Sequence, residues 1–571
     1  MHALKMSLTD RPVISSFWMV FAAVALSLAW LLPNHSHPWL TFHADAWVAA
    51  MMAIVAVFVF WRSRFSVDLH WVSVIAAALA ALPLLQHAFG IIPLFGIAWI
   101  NSVYLLGFFL ALLVGATWEQ QCPGQCADYL FLALGIASVV SVGLQLHQLF
   151  VLDGAGPWIL YSFGTRHSAN LAQPNQLASL LLLGLVSCAW GFYRKQLGAV
   201  SALGAAAFIL IGVALTESRT AWVNISLLFI SAVVWRNLLP ANRVLWAMAG
   251  LVVFFFGCVL ALPTVYDLIW DGFPVSLRTD SPVKDPRWII WSMFLKVAFH
   301  QPLFGFGWGQ THQAQLMLPD EQLDQSGMYS SAHNLFIDLI DWSGFPIGVA
   351  VSVVLLGWFV LVIRRISTFA HLVLFAALLI LSIHAMLELP LHYAYFLLPA
   401  GLMMGCLNTS LRMPRAFGPN KWLTGFVFIV GLAALSITIR DYFRVETSMF
   451  GLRFEQKRIV TSIPSTPPDV IALTHWHDYM VFARTEPKGD LPPRELERVR
   501  NLVISMPGNL VMYKLAVTMV YNGHPAEAQE WLKRACMFTM KENCEQTRVQ
   551  WANLSLIDSR IAAVQWPVKP D

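Results

Sequence analysis

Residues 13–32 read VISSFWMVFAAVALSLAWLL. No side chain in this run ionises, and its length matches the roughly 20 apolar residues a helix needs to cross a bilayer core. Lys5 and Arg11 precede it, as basic residues precede the core of a cleaved leader. Such cores stop at about 7–15 residues, so this run is expected to persist as a first span. The rest of the chain points the same way. Of 571 residues, 58% are hydrophobic and 12% charged, where soluble domains carry roughly 25% charged residues. By the same length rule about thirteen spans are expected. Their centres lie near Ala23, Ala53, Ala78, Phe108, Ser138, Leu183, Ala207, Leu228, Phe254, Val353, Leu378, Leu402 and Val430. The expected fold class is all-α: a polytopic membrane helical bundle.

The loops between these spans alternate in charge. One set holds Lys5 and Arg11, Arg62 and Arg64, Arg194 and Lys195, Arg236 and Arg243, Arg364 and Arg365, and Arg412, Arg415 and Lys421. The other set is nearly free of Lys and Arg, and the positive-inside rule sends it outward. The N-terminus is then cytoplasmic and the C-terminus lies outside. Two large pieces face outward: the loop 263–332 within a membrane domain 1–439, and a tail 440–571. In the tail, LVMYKLAVTMVYNGHPAEAQEWLKRACMF has apolar residues at helical spacing, a turn at Asn522-Gly523, and a helix starting near Pro525. That resembles a tetratricopeptide-like unit. Solenoids usually need three or more copies, so a tail with about two is expected to lean on the membrane domain.

Several classes are excluded or left without support. A net charge of +4 with no basic tract gives no footprint for nucleic acid. The 7 Cys are scattered. Cys122 and Cys126 lack a second pair that would complete a zinc site, and Cys536 and Cys544 could pair if the tail lies in an oxidising compartment. No phosphate-binding loop, HExxH, GxSxG or outward Asp-x-Asp pair is present, so neither a metal nor another cofactor is expected. GFGWGQ, residues 305–310, has no βαβ context and reads as a flexible turn beside an interfacial helix over residues 288–300.

Arg166, Arg219 and Arg287 are guanidiniums on the side that otherwise excludes them, in GTRHSANLAQPNQLASL, TESRTAW and DPRWIIW. Ionisable groups at span ends are costly and tend to mark function, although any single Arg can snorkel to headgroups. His333 stands on the same side in YSSAHNLFIDLIDWSG, residues 329–344, where a polar loop meets a span. Guanidinium binds phosphate in a bidentate fork, and imidazole can take a proton near neutral pH. Outside the cytoplasm there is no ATP, so the set suggests transfer of a group already activated on a lipid diphosphate to a hydroxyl. Helical spacing puts His333, Ile337 and Asp341 on one face. Asp341 then either orients the site or makes a structural hydrogen bond. Glu388, at a span end before Pro390, pairs with an outward Arg or serves the site.

At these motifs the sequence resembles the Wzy/WaaL superfamily of polyprenyl-diphosphate glycosyltransferases, and within it the PglL-type bacterial protein O-oligosaccharyltransferases. PNHSHPWLTFHADAW, ANLAQPNQLAS, ESRTAW, DPRW with HQPLFGFGWGQ, SSAHNLFIDL and HAMLELPLHYAYFLLPAG are similar to that family's motifs, and together they cover most of the membrane domain. The resemblance implies a multi-pass protein of the bacterial inner membrane with a large periplasmic loop over the active site. The donor would be an undecaprenyl-diphosphate-linked oligosaccharide. The acceptor would be a Ser or Thr hydroxyl of a secreted protein, such as a type IV pilin. By the same resemblance His333 is the base, Arg219 and Arg287 hold the diphosphate, and Arg166, Gln173, Asn175, Gln176, Asn334, Glu388 and Tyr393 line the donor or acceptor site. An O-antigen ligase or polymerase, with a sugar acceptor, is the alternative within the superfamily. A secondary transporter is disfavoured, because the polar residues gather at span ends rather than at the midplane.

Overall fold

A backbone surrounded by lipid must satisfy its hydrogen bonds within itself, which leaves the apolar runs one solution, the helix. A computed structural model describes residues 13–152, 156–161, 164–270, 287–318, 328–538 and 541–567, and their regular structure is nearly all helix. In chain order the helices are α1 (Ser16–Ser27), α2 (Phe42–Arg62), α3 (Trp71–Ala88), α4 (Phe95–Gln121), α5 (Gln125–Leu149), α6 (Pro174–Tyr193), α7 (Ala199–Leu215) and α8 (Arg219–Val234). Then come α9 (Asn242–Trp270), α10 (Arg287–Ala298), α11 (Thr311–Gln315), α12 (Leu335–Arg365), α13 (Phe369–Ala385), α14 (Ala394–Ser410) and α15 (Lys421–Gln456). The tail adds α16 (Thr474–Arg484), α17 (Pro493–Ser505), α18 (Asn509–Tyr521), α19 (Pro525–Met537), α20 (Lys541–Ser555) and α21 (Ser559–Ala562). A two-stranded antiparallel ribbon pairs Leu69–His70 with Arg415–Phe417.

Each of the thirteen expected centres lies in a helix. Eight of those helices are long and apolar enough to cross a membrane. α1, α7, α8 and α13 are shorter apolar helices, and α14 has 17 residues. The protein is a multi-pass membrane protein. α9 continues through Pro263 to Trp270, so the large loop begins after residue 270 rather than at 263. Pro is tolerated inside membrane helices because neighbouring groups take up the freed backbone bonds. Lys5, Arg11 and much of that loop, residues 271–286 and 319–327, lie outside the described residues.

The chain divides into two units. The first comprises Met1–Ala78, Tyr104–Asp285 and Val354–Leu435. Its core joins α5, α6 and α7 with the neighbouring helices through small residues that let backbones approach. A Cβ on Gly184 of α6 would run into Ser138 of α5, whose hydroxyl donates to the Leu180 carbonyl at 2.9 Å. In the same way Gly115 of α4 abuts the Leu402 backbone of α14.

The second unit comprises Leu79–Val103, Pro286–Val353 and Ser436–Asp571. α15 runs unbroken through residues 439 and 440, and the tail shares this unit with the large loop. Leu316, just after α11, is buried in the tail core among Val511, Leu515 and Trp531. The tail helices join through short turns, with Gly523 at φ +79° between α18 and α19. Cys536 and Cys544 form a disulfide. GFGWGQ is not a flexible turn. Gly305, Gly307 and Gly309 all have positive φ, and the segment is tied down at both faces. Trp308 N–H donates to Gln86 Oε1 at 2.9 Å, and Phe306 N–H donates to the Asp341 carbonyl at 2.7 Å.

Candidate functional site

In the first unit three segments converge on a guanidinium–amide–carboxylate chain. Arg166, in the loop before α6, donates through Nε to the Thr216 carbonyl at 3.1 Å and through a terminal nitrogen to Asn175 Oδ1 at 3.1 Å. Asn175 donates from its amide nitrogen to Glu388 Oε1 at 3.2 Å. Thr216 stands three residues before Arg219, the exposed first residue of α8. The first turn of α6 is built for this role. Pro174 occupies its first position, where a missing N–H costs nothing, and Gln173 caps it by accepting from Gln176 N–H at 2.6 Å.

The other wall of this cluster is aromatic. Tyr395 donates its hydroxyl to Gln176 Oε1, and the Tyr393 and Tyr395 rings stack with centroids 5.4 Å apart. Asp45 fixes these tyrosines from below. Its carboxylate accepts from Ala394 N–H at 2.6 Å, Tyr104 hydroxyl at 2.9 Å and Thr41 hydroxyl at 2.7 Å, so α2, α4 and the start of α14 meet at one buried acid. Asn170 closes the loop side. It donates to the Leu31 and Trp158 carbonyls, and its own carbonyl contacts His35 Nε2 at 2.7 Å. Burial holds the His35 imidazole below its ordinary pKa.

The second unit carries His333 on a strained turn. Its φ is +56°, a left-handed conformation that side chains other than Asn and Gly rarely adopt. Asp338 enforces it. One carboxylate oxygen accepts from the Ser331 hydroxyl at 2.6 Å, and the other accepts from Ala332 N–H at 2.7 Å. Ser331 Oγ in turn accepts from His333 N–H at 2.9 Å. Asn334 caps α12 by accepting from Phe336 N–H at 3.1 Å. α10 packs against this turn. Trp291, one helical turn after Arg287, donates its indole N–H to the His333 carbonyl at 3.4 Å. Phe294 and Ile290 share an apolar cluster with Ala332 and Ile337, and the Tyr329 ring meets His333 edge to face at 6.0 Å. The half-buried imidazole is therefore held by its backbone, with Asp338 in the first turn of α12 bracing the segment before it. Among the described residues no group of three His, Cys, Asp or Glu side chains could hold a metal ion.

Comparison with known proteins follows these same segments. Residues 204–350, which hold Arg219, Arg287, His333 and Asn334, match the O-antigen ligase family. Residues 169–190, which hold Gln173, Asn175 and Gln176, match the protein glycosylation ligase family. Residues 372–552, which hold Glu388 and Tyr393, match the family described as virulence factor membrane-bound polymerase, C-terminal. The chain is 27% identical over 559 residues, 95% of each chain, to the general O-oligosaccharyltransferase of Acinetobacter baylyi. The chain is thus similar, along most of its length, to the PglL-type O-oligosaccharyltransferases of the O-antigen ligase superfamily. A second relative, the ComP-specific O-oligosaccharyltransferase of the same organism, is 30% identical over 257 residues, 44% of this chain and 45% of that one. The protein is an oligosaccharyltransferase enzyme.

Within this oligosaccharyltransferase, Arg166, Gln173, Asn175, Gln176, Glu388 and Tyr393 gather in the first unit, with Arg219 beside them in sequence after Thr216. Of the two readings of Glu388, the structure links it to Arg166 through the amide of Asn175. Arg287, His333 and Asn334 gather in the second unit. The shared face of His333, Ile337 and Asp341 is corrected. α12 begins at Leu335, so His333 precedes the helix and the 3.6-residue period does not reach it. Asp341 is fully buried, and it is Asp338 that orients the His333 backbone. Sequence reasoning also missed Asp45. A carboxylate inside the apolar run 42–62 was the signal that could have found it.

Proposed function

We propose that this enzyme transfers a preassembled oligosaccharide from an undecaprenyl-diphosphate carrier to Ser or Thr hydroxyls of secreted proteins such as pilins. The reaction takes place on the periplasmic side of the bacterial inner membrane and needs no metal. The chain crosses thirteen times, with its N-terminus cytoplasmic. α17 to α20, each of 13 to 15 residues, form a periplasmic tail of two tetratricopeptide-like hairpins.

The observation that carries the reading is the His333 turn. Strain of this kind persists where the surroundings over-determine it, and it clusters at active sites. In the step we propose, the acceptor oxygen attacks the anomeric carbon of the donor sugar while the hydroxyl proton passes to the His333 imidazole. The bond from that carbon to the phosphate oxygen breaks, and the lipid diphosphate leaves with the electron pair. Arg287 and Arg219 offset the charge on the leaving group, a role in which removing one preorganised donor costs about 3–4 kcal/mol in comparable enzymes. One displacement inverts the anomeric centre. Arg166, Asn175, Gln173, Gln176, Glu388, Asn334 and Tyr393 position donor and acceptor.

The matches to O-antigen ligase and polymerase families favour a second reading, in which the acceptor is a sugar. Expression in a bacterium that supplies a lipid-linked oligosaccharide and a secreted pilin-like protein separates the two. A glycan increment on the intact mass of the secreted protein is expected. Glycan found on lipid A core, with the protein unmodified, overturns the protein-acceptor reading.

A further inference from the structure

Within the first unit an apolar cavity of about 400 Å³ opens between α6, α7, α8, α9 and α13, a size in the range of small-molecule sites. Its floor is the small-residue stripe Ala199, Ala202 and Ala206 on α7, and its walls include Ile225 and Phe369. Arg243, exposed at the start of α9, is the one charged residue that lines it. From Arg243 to Val252, both on the cavity wall, α9 rises about 14 Å. The site is thus a hydrocarbon slot with a single cation at its mouth.

Among the described residues no acid pairs with this cation. The sequence holds no Asp or Glu between Asp153 and Glu217, between Glu217 and Asp267, or between Asp341 and Glu388, which covers every segment lining the slot. Acids in other loops of the unit are engaged elsewhere: Asp128 with Arg194 at 2.7 Å and Asp68 with Arg415 at 3.0 Å. A guanidinium is always charged and binds phosphate well. Beside an apolar slot in a membrane protein, the complementary ligand is a lipid with an acidic headgroup. We propose that this slot binds one acyl chain of an anionic phospholipid, with the headgroup phosphate on Arg243. The basic loop set to which Arg236 and Arg243 belong places that lipid in the cytoplasmic leaflet. The site is separate from the residues assigned to transfer, and its occupancy does not depend on the acceptor.

Native mass spectrometry of the detergent-purified full chain tests this, with phosphatidylglycerol, phosphatidylcholine and undecaprenyl phosphate as competing probes. Wild type is expected to retain phosphatidylglycerol in preference to the other two. Arg243→Gln is expected to lower its occupancy by roughly fivefold, the share one basic residue contributes at an anionic membrane surface. Ala206→Phe, which fills the slot, is expected to lower it while Arg243 stays in place. Equal retention of phosphatidylglycerol and phosphatidylcholine, preference for undecaprenyl phosphate, or occupancy unchanged in Arg243→Gln would each overturn the proposal. Arg243 is exposed, so its replacement leaves the fold intact, which a monodisperse elution profile checks.

Discussion

At the scale of the residue, His333 combines an uncommon backbone conformation with a side chain that has chemistry to offer. If the left-handed φ is strain held for function, relieving it should separate stability from activity. His333→Gly is expected to leave thermal stability unchanged or to raise it by about 1 kcal/mol, because glycine adopts φ +56° without the Cβ clash. Transfer should be lost in the same variant. A marked loss of stability would contradict the strain reading. Asp338→Asn acts through the opposite lever. It puts an amide where a carboxylate now accepts from Ser331 and Ala332, and leaving one of those buried groups unsatisfied costs about 1–3 kcal/mol. A lower melting temperature in detergent and slower transfer are expected together. The His-Asn motif was legible in the sequence, but the turn was not. Positive φ is usually announced by Gly or Asn, and here it is imposed by an acid five residues further on.

Helices show a similar division. The apolar runs placed every expected span centre inside a helix, since hydropathy reports length and burial. What they could not report was how the helices are pinned. Asp45 ties α2, α4 and α14 through two hydrogen bonds from residues far apart in sequence, Tyr104 and Ala394, with a third from nearby Thr41. Asp45→Ala leaves Tyr104 and the Ala394 N–H unsatisfied, and a loss of about 2–5 kcal/mol is expected, read as a lower melting temperature and weaker transfer. The GFGWGQ strap makes the same point in the second unit. α12 breaks at Gly344, with φ +77° and ψ 168°, one residue before the helix is resumed by Phe345 and Pro346. The Phe345 N–H then donates to the Pro302 carbonyl at 2.8 Å. Gly305 packs so closely there that a Cβ would sit 2.6 Å from the Asp341 carbonyl oxygen and the Gly344 nitrogen. Gly305→Ala must therefore displace backbone, and it should destabilise more than Gly257→Ala in α9, where a Cβ meets nothing within 4 Å. Equal melting temperatures for the two variants would count against the strap. A run of alternating glycines alone reads as mobility; only the partners across the gap show that it is packed.

For the whole molecule, two buried histidines set an acid limit. Burial pushes the His475 imidazole down to about 3 and His167 down to about 4. In the unfolded chain both titrate near their ordinary value, about 6.5. The unfolded state therefore binds more protons below that value, and the stability these residues lend is full above about pH 6.5 and falls as the pH drops toward 4. By pH 5 each is expected to have forfeited on the order of 1–2 kcal/mol. Thermal unfolding in detergent at pH 7.5 and 5 measures this, and His475→Gln should flatten the dependence. The whole-molecule reading from sequence was sound in class, a nearly all-α membrane enzyme. The division into units was hidden, because residues 79–103, 286–353 and the tail come together only through packing such as that of Leu316 into the tail core. The central claim is that His333 takes the proton in oligosaccharide transfer. Its most direct test is the initial rate of transfer from a purified lipid-linked donor to a protein acceptor, wild type beside His333→Ala, with donor binding measured in parallel. A rate lowered roughly 10²–10⁴-fold with donor binding retained is predicted; equal rates would contradict it.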